Sequence, residues 1–339
     1  MIKLPHNSID LDKMAMTFYY DVEKEMDLQN KLASWPAGDD LKPIMHFIAS
    51  NLLTIITGKP DQLEDIAINL EPEIQAAKTN YKAKHPALKK TEIDAWFKSE
   101  MFKVFNYSVD SHSFIKKDDG AVAYRHAKRL KMNTCPYCNC NFTYTIKNKR
   151  MKSRPQFDHF LKKDSYPFFA LSFYNLVPSC ALCNSGALKG SKLFSHKTHL
   201  HPFIESIDKV YQFRTKVTAV DFLVSGADFE LKMVLCDKVK PSDPLAKKAK
   251  KNLEVFALND RYKFHKDIAE GVIKNSHIYC NTAISDLYKS FKIGTKSIFS
   301  SELEIKELIV GNFLNPDNFH QRIHSKLVRD IAEEFGLLL

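Results

Sequence analysis

The stretch that decides the reading of this chain runs from Cys135 to Lys192, CPYCNCNFTYTIKNKRMKSRPQFDHFLKKDSYPFFALSFYNLVPSCALCNSGALKGSK. It opens on Cys135-Pro-Tyr-Cys138 and carries Cys180-Ala-Leu-Cys183 near its end. Two residues between cysteines make a knuckle whose thiolates can take one edge of a tetrahedral zinc ion at about 2.3 Å. Forty-one residues separate the two pairs, more than a plain zinc ribbon needs, so one structural Zn²⁺ would pin both ends of an insert large enough to hold a site. Two independent redox dithiols are the alternative, and neither pair lies on the βαβ pattern that chemistry uses. Cys140, Cys236 and Cys280 lack partners in sequence and read as small core residues.

Within the insert, FTYTI and QFDHF flank the basic KNKRMKSRP, a pattern that predicts a two-stranded ribbon between Asn141 and Phe160 with a basic loop, and a helix near Cys180. The chemistry-bearing residues follow in order: Asp158-His159, Asn175, Asn184 directly after the last cysteine, then Lys189 and Lys192. Hydrolysis of a phosphodiester needs a base for water and a cation for the phosphate and leaving oxygen. Asp158 and Asn184 could hold Mg²⁺ or Mn²⁺ through oxygen. His159, whose type titrates nearest neutrality, could take the water proton, and Asn175 could fix the imidazole by a hydrogen bond. Lys162, Lys163, Lys189 and Lys192 could meet phosphate. Each has a plainer reading: an Asp-His pair alone is ordinary, Asn175 and Asn184 suit turns and caps, and lysines are often just solvated.

The rest of the 339 residues frames this core. Composition, 44% hydrophobic and 27% charged, is that of a globular protein. No apolar run approaches a membrane span and the first residues lack a secretory core, so a cytoplasmic location with reduced cysteines is expected. The formal net charge is +10, yet residues 121–200 hold fourteen Lys and Arg against Asp158 and Asp164, a net of +12. Such concentration is the footprint of phosphate docking, or of a merely solvated basic face. Residues 1–120 net to −4 and read as helices, with Met14, Met16, Tyr19 and Tyr20 as one buried stripe and a break at Gly58-Lys59-Pro60. Beyond His201-Pro202, alternation in VYQFRTKVTAVDFLVSG and DFELKMVLCD predicts a small antiparallel sheet interrupted at Gly226, and four amphipathic helices close the chain. His196, His199 and His201 have metal-like spacing, but exposed or core histidines are the simpler reading. The fold class expected is α+β, with a helical lobe at 1–120, a zinc-bound core at 121–203, and a sheet plus helical lobe at 204–339.

Taken together, Asp158, His159, Asn175, Asn184 and the four cysteines resemble an HNH endonuclease, the ββα-metal family, in an HNN variant with asparagine at the third position. That resemblance implies a hydrolase with Asp158 and Asn184 on the catalytic cation, His159 as general base, Asn175 as its orienting residue, and DNA rather than RNA as substrate. More loosely, DHFLKKDSYPFFALSFYNLVPSCALCNSGALKGS and IKELIVGNFLNPDNFHQRIHSKLVRDIAEEFG resemble the nuclease subunit of Septu-type anti-phage systems, which implies an ATPase partner. Two rivals stay open: a zinc-dependent nucleic-acid-binding module without catalysis, and a scaffold subunit inert until assembled. A binder has no need of Asp158, His159, Asn175 and Asn184 together.

Overall fold

The computed structural model describes residues 1–217, 222–225 and 229–338. The first segment is helical: α1 (Ser8–Met26), α2 (Leu28–Ala33), α3 (Lys42–Ser50), α4 (Leu52–Thr57), α5 (Pro60–Lys84), α6 (Lys90–Val104) and α7 (Lys117–Leu130). Asn7 caps α1 by accepting from the Asp10 amide, and Leu11, Ala15, Phe18, Val22 and Met26 form its buried stripe. Of the expected stripe of Met14, Met16, Tyr19 and Tyr20, Met14 and Tyr19 pack half-buried against this core, whereas Tyr20, 64% exposed, is corrected. Pro60 starts α5 two residues past Gly58, where its missing N–H is no loss. On α7, Arg125 and Arg129 pair with Asp21 of α1, and Arg125 also reaches Glu25. Part of the basic excess therefore ties two helices together instead of facing solvent.

The middle segment holds β1 (Ile146–Lys147), β2 (Lys152–Ser153), β3 (Gln156–His159), β4 (Leu176–Ser179) and the single-turn α8 (Ala181–Asn184). Here the predicted ribbon survives only as the short antiparallel pair β1–β2 around the basic loop, and the rest of it is corrected. QFDH does not pair with FTYTI; β3 runs antiparallel to β4, with Asp158 opposite Val177 and His159 opposite Leu176. The reason is burial: every residue of LVPS is buried, as are Phe157, Asp158 and His159, whereas Phe142 and Tyr144 stack on each other at the surface. The basic loop is tipped by the two-residue pair β1–β2, and Lys147 and Lys152 turn to Asp119. The helix expected near Cys180 is only one turn long.

The last segment contains β5 (Tyr211–Val217), α9 (Phe222–Ser225), β6 (Phe229–Leu235), α10 (Pro244–Val255), α11 (Leu258–Tyr262), α12 (Lys266–Ile278), α13 (Asn281–Ser290), β7 (Lys292–Ile293), β8 (Lys296–Ser297), α14 (Glu302–Val310) and α15 (Ser325–Glu334). Alternation holds in β5 and β6, where Tyr211, Phe213, Phe229, Leu231 and Met233 are buried and α15 packs on β5, but the strand expected to run on through Phe222–Ser225 is corrected: that stretch is helical. The interruption expected at Gly226 lies outside the described residues. The long helical phrase from His265 to Phe291 breaks at Tyr279-Cys280 into α12 and α13. Buried Lys326 pairs with Asp330 and Asp208, and Asp330 accepts from the Phe213 amide, which fixes α15 to the strand.

About half the chain is helical, the sheets are small and antiparallel, and the class is α+β. One apolar cluster runs through all three segments, from Met1 to Leu337. Among the described residues no helix is long and apolar enough to cross a membrane.

Candidate functional site

The two CxxC pairs converge. The sulfurs of Cys135, Cys138, Cys180 and Cys183, all buried, lie within 4.8 Å of one another. A tetrahedron with bonds of about 2.3 Å spaces its sulfurs by about 3.8 Å, and Cys138 and Cys180 stand 4.0 Å apart. Four packed thiols cannot all ionise unaided: burial and its neighbours push the Cys135 thiol well up, while hydrogen bonds from the same neighbours hold Cys138 well down. A zinc ion would resolve that conflict by making all four thiolate. Donors are ready for the charge. The Cys140 amide points at Cys138 Sγ, Asn141 Nδ2 at Cys180 Sγ and Arg261 Nη1 at Cys183 Sγ, each within 3.4 Å. This cluster can hold a zinc ion.

In front of the cysteines is a cleft of about 500 Å³ whose lining includes Asp158, His159, Asn184, Lys162, Lys163 and Lys189. Strand alternation gives Asp158 and His159 different surroundings. Asp158, only 3% exposed, accepts from the Tyr137 hydroxyl at 2.7 Å and pairs with Lys189 at 3.0 Å. Tyr137 lies between the first two cysteines, so the knuckle touches the carboxylate directly. Lys189 is equally buried and donates to the His159 carbonyl at 2.8 Å. The expectation that Lys189 docks phosphate is corrected: its ammonium is enclosed because Asp158 needs a counter-charge there.

His159 sets one ring nitrogen, Nε2, 3.1 Å from the carbonyl of Ala170, and its ring meets Tyr107 edge-on at 4.5 Å. A carbonyl only accepts, so Nε2 carries the proton and Nδ1 keeps its lone pair in the neutral ring. Burial, reinforced by the Lys163 charge, brings its pKa down to about 3. The 8% of the residue still exposed belongs to the cleft.

Asn175 was expected to bond the imidazole, and that is corrected. Its amide oxygen accepts from the Leu161 amide at 2.6 Å, and its Nδ2 donates to the carbonyls of Leu161 and Phe169 at 3.1 and 3.0 Å. It thus closes the loop whose next residue, Ala170, holds the ring. Asn184 donates to Gln156 Oε1 at 2.9 Å, and among the described residues nothing donates to its own amide oxygen. At the mouth, Lys162 and Lys163 are half-buried, with the Lys163 ammonium 5.1 Å above the Tyr107 ring. Lys192 is exposed, folds back on the Leu188 carbonyl and is not part of the lining, so its expected place at the site is also corrected. The three histidines past the core do not converge: His196 pairs with Glu64, His199 stacks on Phe194, and His201 packs on Phe160.

Several residues of the site were not read in advance. Tyr137 could have been suspected from its place inside a CxxC knuckle. Arg154, Gln156 and Tyr107 line the cleft without any motif of their own. Asn139 is a buried bolt: it donates to the carbonyls of Phe319 and Arg322 and accepts from the Lys326 amide, joining the knuckle to the C-terminal segment.

No family model matches the chain, and no solved structure matches it. Over 55 residues it is 38% identical to the Septu protein PtuB of Bacillus thuringiensis, a match covering 16% of this chain and 19% of that protein. The chain therefore matches about a fifth of the length of that relative.

Proposed function

We propose that this chain is a metal-dependent endonuclease of the HNH type, hydrolysing phosphodiester bonds in nucleic acid, DNA ahead of RNA, within an anti-phage system that includes an ATPase partner. The observation that carries the reading is the meeting of Asp158, His159 and Asn184 in one cleft with Lys162 and Lys163 at its mouth. The hairpin β3–β4 followed by one helical turn and the partial likeness to Septu protein PtuB support it. The acidic N-terminal segment is a poor surface for DNA and a better one for the partner protein.

In this reading His159 Nδ1 accepts the proton of the attacking water while Nε2 stays bonded to Ala170. A resting pKa near 3 makes a weak base. Burial is the larger cause of that depression; phosphate drawn to Lys163 offsets only the smaller share due to the ammonium charge, which moves the imidazole toward greater basicity. Asp158 has carboxylate lone pairs beyond those taken by Tyr137 and Lys189, and the Asn184 amide oxygen is unspent; this oxygen set fits Mg²⁺ or Mn²⁺. When bound, the cation would neutralise the phosphate and the leaving oxygen.

One observation favours a second reading, a nucleic-acid binder without catalysis. The buried Lys189 ammonium already balances Asp158, as a site that never takes a cation would have it. Purified full-length protein, with and without its ATPase partner, is to be incubated with plasmid, single-stranded DNA and RNA in Mg²⁺ or Mn²⁺. Cleavage that disappears in His159→Ala supports the nuclease. Salt-sensitive binding with no cleavage under any of these conditions would reject it in favour of the binder.

A further inference from the structure

A second cluster of candidate ligands lies beside the four cysteines and outside the cleft; its Cys140 adjoins the knuckle, with the amide on Cys138 Sγ and the thiol on the Cys138 carbonyl. Cys140 follows Cys138 by two residues, His265 ends the short turn between α11 and α12, and His324 is the residue before α15. One donor atom from each lies within 4.8 Å of the other two. The two imidazole rings are 4.2 Å apart and inclined at 50°, so they converge without stacking flat. His324 is 7% exposed, and its Nε2 is buried with no hydrogen-bond partner. A buried imidazole nitrogen with nothing to bond is unusual enough to ask what it meets.

The backbone holds this cluster firmly. His324 has φ 62, a left-handed conformation unusual for any residue but glycine, asparagine or aspartate. It is kept there by its amide, which donates 2.6 Å to the carbonyl of Asn139, the residue before Cys140. The Asn139 side chain binds Phe319, Arg322 and Lys326 from the same segment. Cys140 and His324 are therefore fixed against each other by hydrogen bonds that involve neither side chain.

We propose that Cys140, His265 and His324 bind a second zinc ion through one sulfur and two imidazole nitrogens, distinct from the four-cysteine ion. One thiolate with two imidazoles suits zinc and is a poor set for the hard cations magnesium and calcium. Tetrahedral bonds of about 2.0 to 2.3 Å separate donors by about 3.3 to 3.8 Å, which these side chains reach by small rotations. Three protein ligands leave the fourth position to water, so this ion exchanges faster than the one enclosed by four thiolates. Binding releases the Cys140 proton and clamps α12 and α15 onto the cysteine knuckle.

The test is zinc titration of the full chain, first washed with a mild chelator, against a competing chromophoric chelator, with total zinc measured by mass spectrometry. Wild type is expected to take two ions. Cys140→Ser, His265→Gln and His324→Gln should each take one, and Cys236→Ser should keep both. Wild-type protein that saturates at one ion, or a Cys140→Ser protein that still takes two, overturns the site. A second measurement does not depend on variants folding. With zinc at ten times the dissociation constant, alkylation of Cys140 in the wild-type chain should slow about tenfold while that of exposed Cys280 is unchanged. Equal alkylation of Cys140 with and without zinc would also reject the proposal.

Discussion

Replacing Asn175 by alanine tests whether this residue orients the imidazole directly or builds the loop that does. The side chain makes three hydrogen bonds, to the Leu161 amide, the Leu161 carbonyl and the Phe169 carbonyl. Leu161 and Phe169 are both buried; truncation strands the Leu161 amide and carbonyl away from water, while the Phe169 carbonyl keeps the Ser172 amide. An unsatisfied buried group costs about 1 to 3 kcal/mol, and a water entering the space of the lost amide recovers part of that. With two such groups the expected loss is about 2 to 4 kcal/mol, a large share of the roughly 5 to 15 kcal/mol typical of a folded protein. The assay is urea unfolding of zinc-loaded protein at neutral pH, with amide exchange at Leu161 as the local probe. The midpoint should fall with the slope unchanged, and Leu161 should lose protection. Any cleavage defect should then follow from displacement of the Ala170 carbonyl. A variant within about 1 kcal/mol of wild type that nevertheless loses activity would refute this, since only a direct role on the ring leaves the fold intact.

His159→Ala should abolish cleavage while zinc content and substrate affinity stay near wild type, measured by nicking, metal analysis and binding on the same preparation; wild-type cutting would remove His159 from the mechanism. Lys189→Met should destabilise by about 3 to 5 kcal/mol because it leaves Asp158 buried without its counter-charge, and added Mg²⁺ should restore part of that if the carboxylate can take a cation; no rescue in thermal melts favours the binder. Lys162→Glu with Lys163→Glu should flatten the salt dependence of nucleic-acid binding, and an unchanged slope would move the docking surface elsewhere. His126, His159 and His201 are buried with pKa values held at about 3, chiefly by desolvation. The unfolded chain binds their protons below about pH 6.5 and the folded chain refuses them, so stability is flat above that pH and falls on acidification, by about 2 kcal/mol per histidine at pH 5. His126→Phe, among Phe18, Phe157 and Phe173, should remove one proton from that slope; an unchanged slope of unfolding free energy against pH would show that His126 is not held neutral.

The cysteines were readable because metal chemistry imposes a local spacing, and Asp158-His159 because adjacent residues need no fold to bring them together. The strand pairing was not. FTYTI has the stronger β propensity, yet β3 chose LVPS, an apolar run with a proline in it, because pairing followed burial against residues far away in sequence. Lys189 was misread for a related reason. A lysine is taken as a surface charge until a buried carboxylate claims it, and the position of Asp158 relative to Lys189 is a tertiary fact. Asn175 was given an imidazole contact where it bonds the backbone, since its type allows either a ring or a backbone partner. Cys140 was set aside as core because its neighbours, His265 and His324, come from the far end of the chain.

The knuckle residues between and after the cysteines link the cysteine cluster to both the cleft and the C-terminal segment. Tyr137 reaches forward to Asp158 in the cleft. Asn139 reaches back to the loop before α15, and Arg261, at α11, meets Cys183 from the same side. These hydrogen bonds tie to the cysteine cluster, whose conformation, if it holds zinc, would depend on four thiolates agreeing on one ion. Without that ion the thiolates repel or protonate, the knuckle relaxes, and the carboxylate and the C-terminal segment lose their fixed partner together. Zinc removal should therefore disturb Asp158 and α15 at once, so amide exchange in β3 and in α15 should rise in parallel as a chelator strips the metal. Loosening confined to residues 135–140 and 180–183 would mean that the knuckle is a local staple and that the coupling through Tyr137 and Asn139 carries no weight.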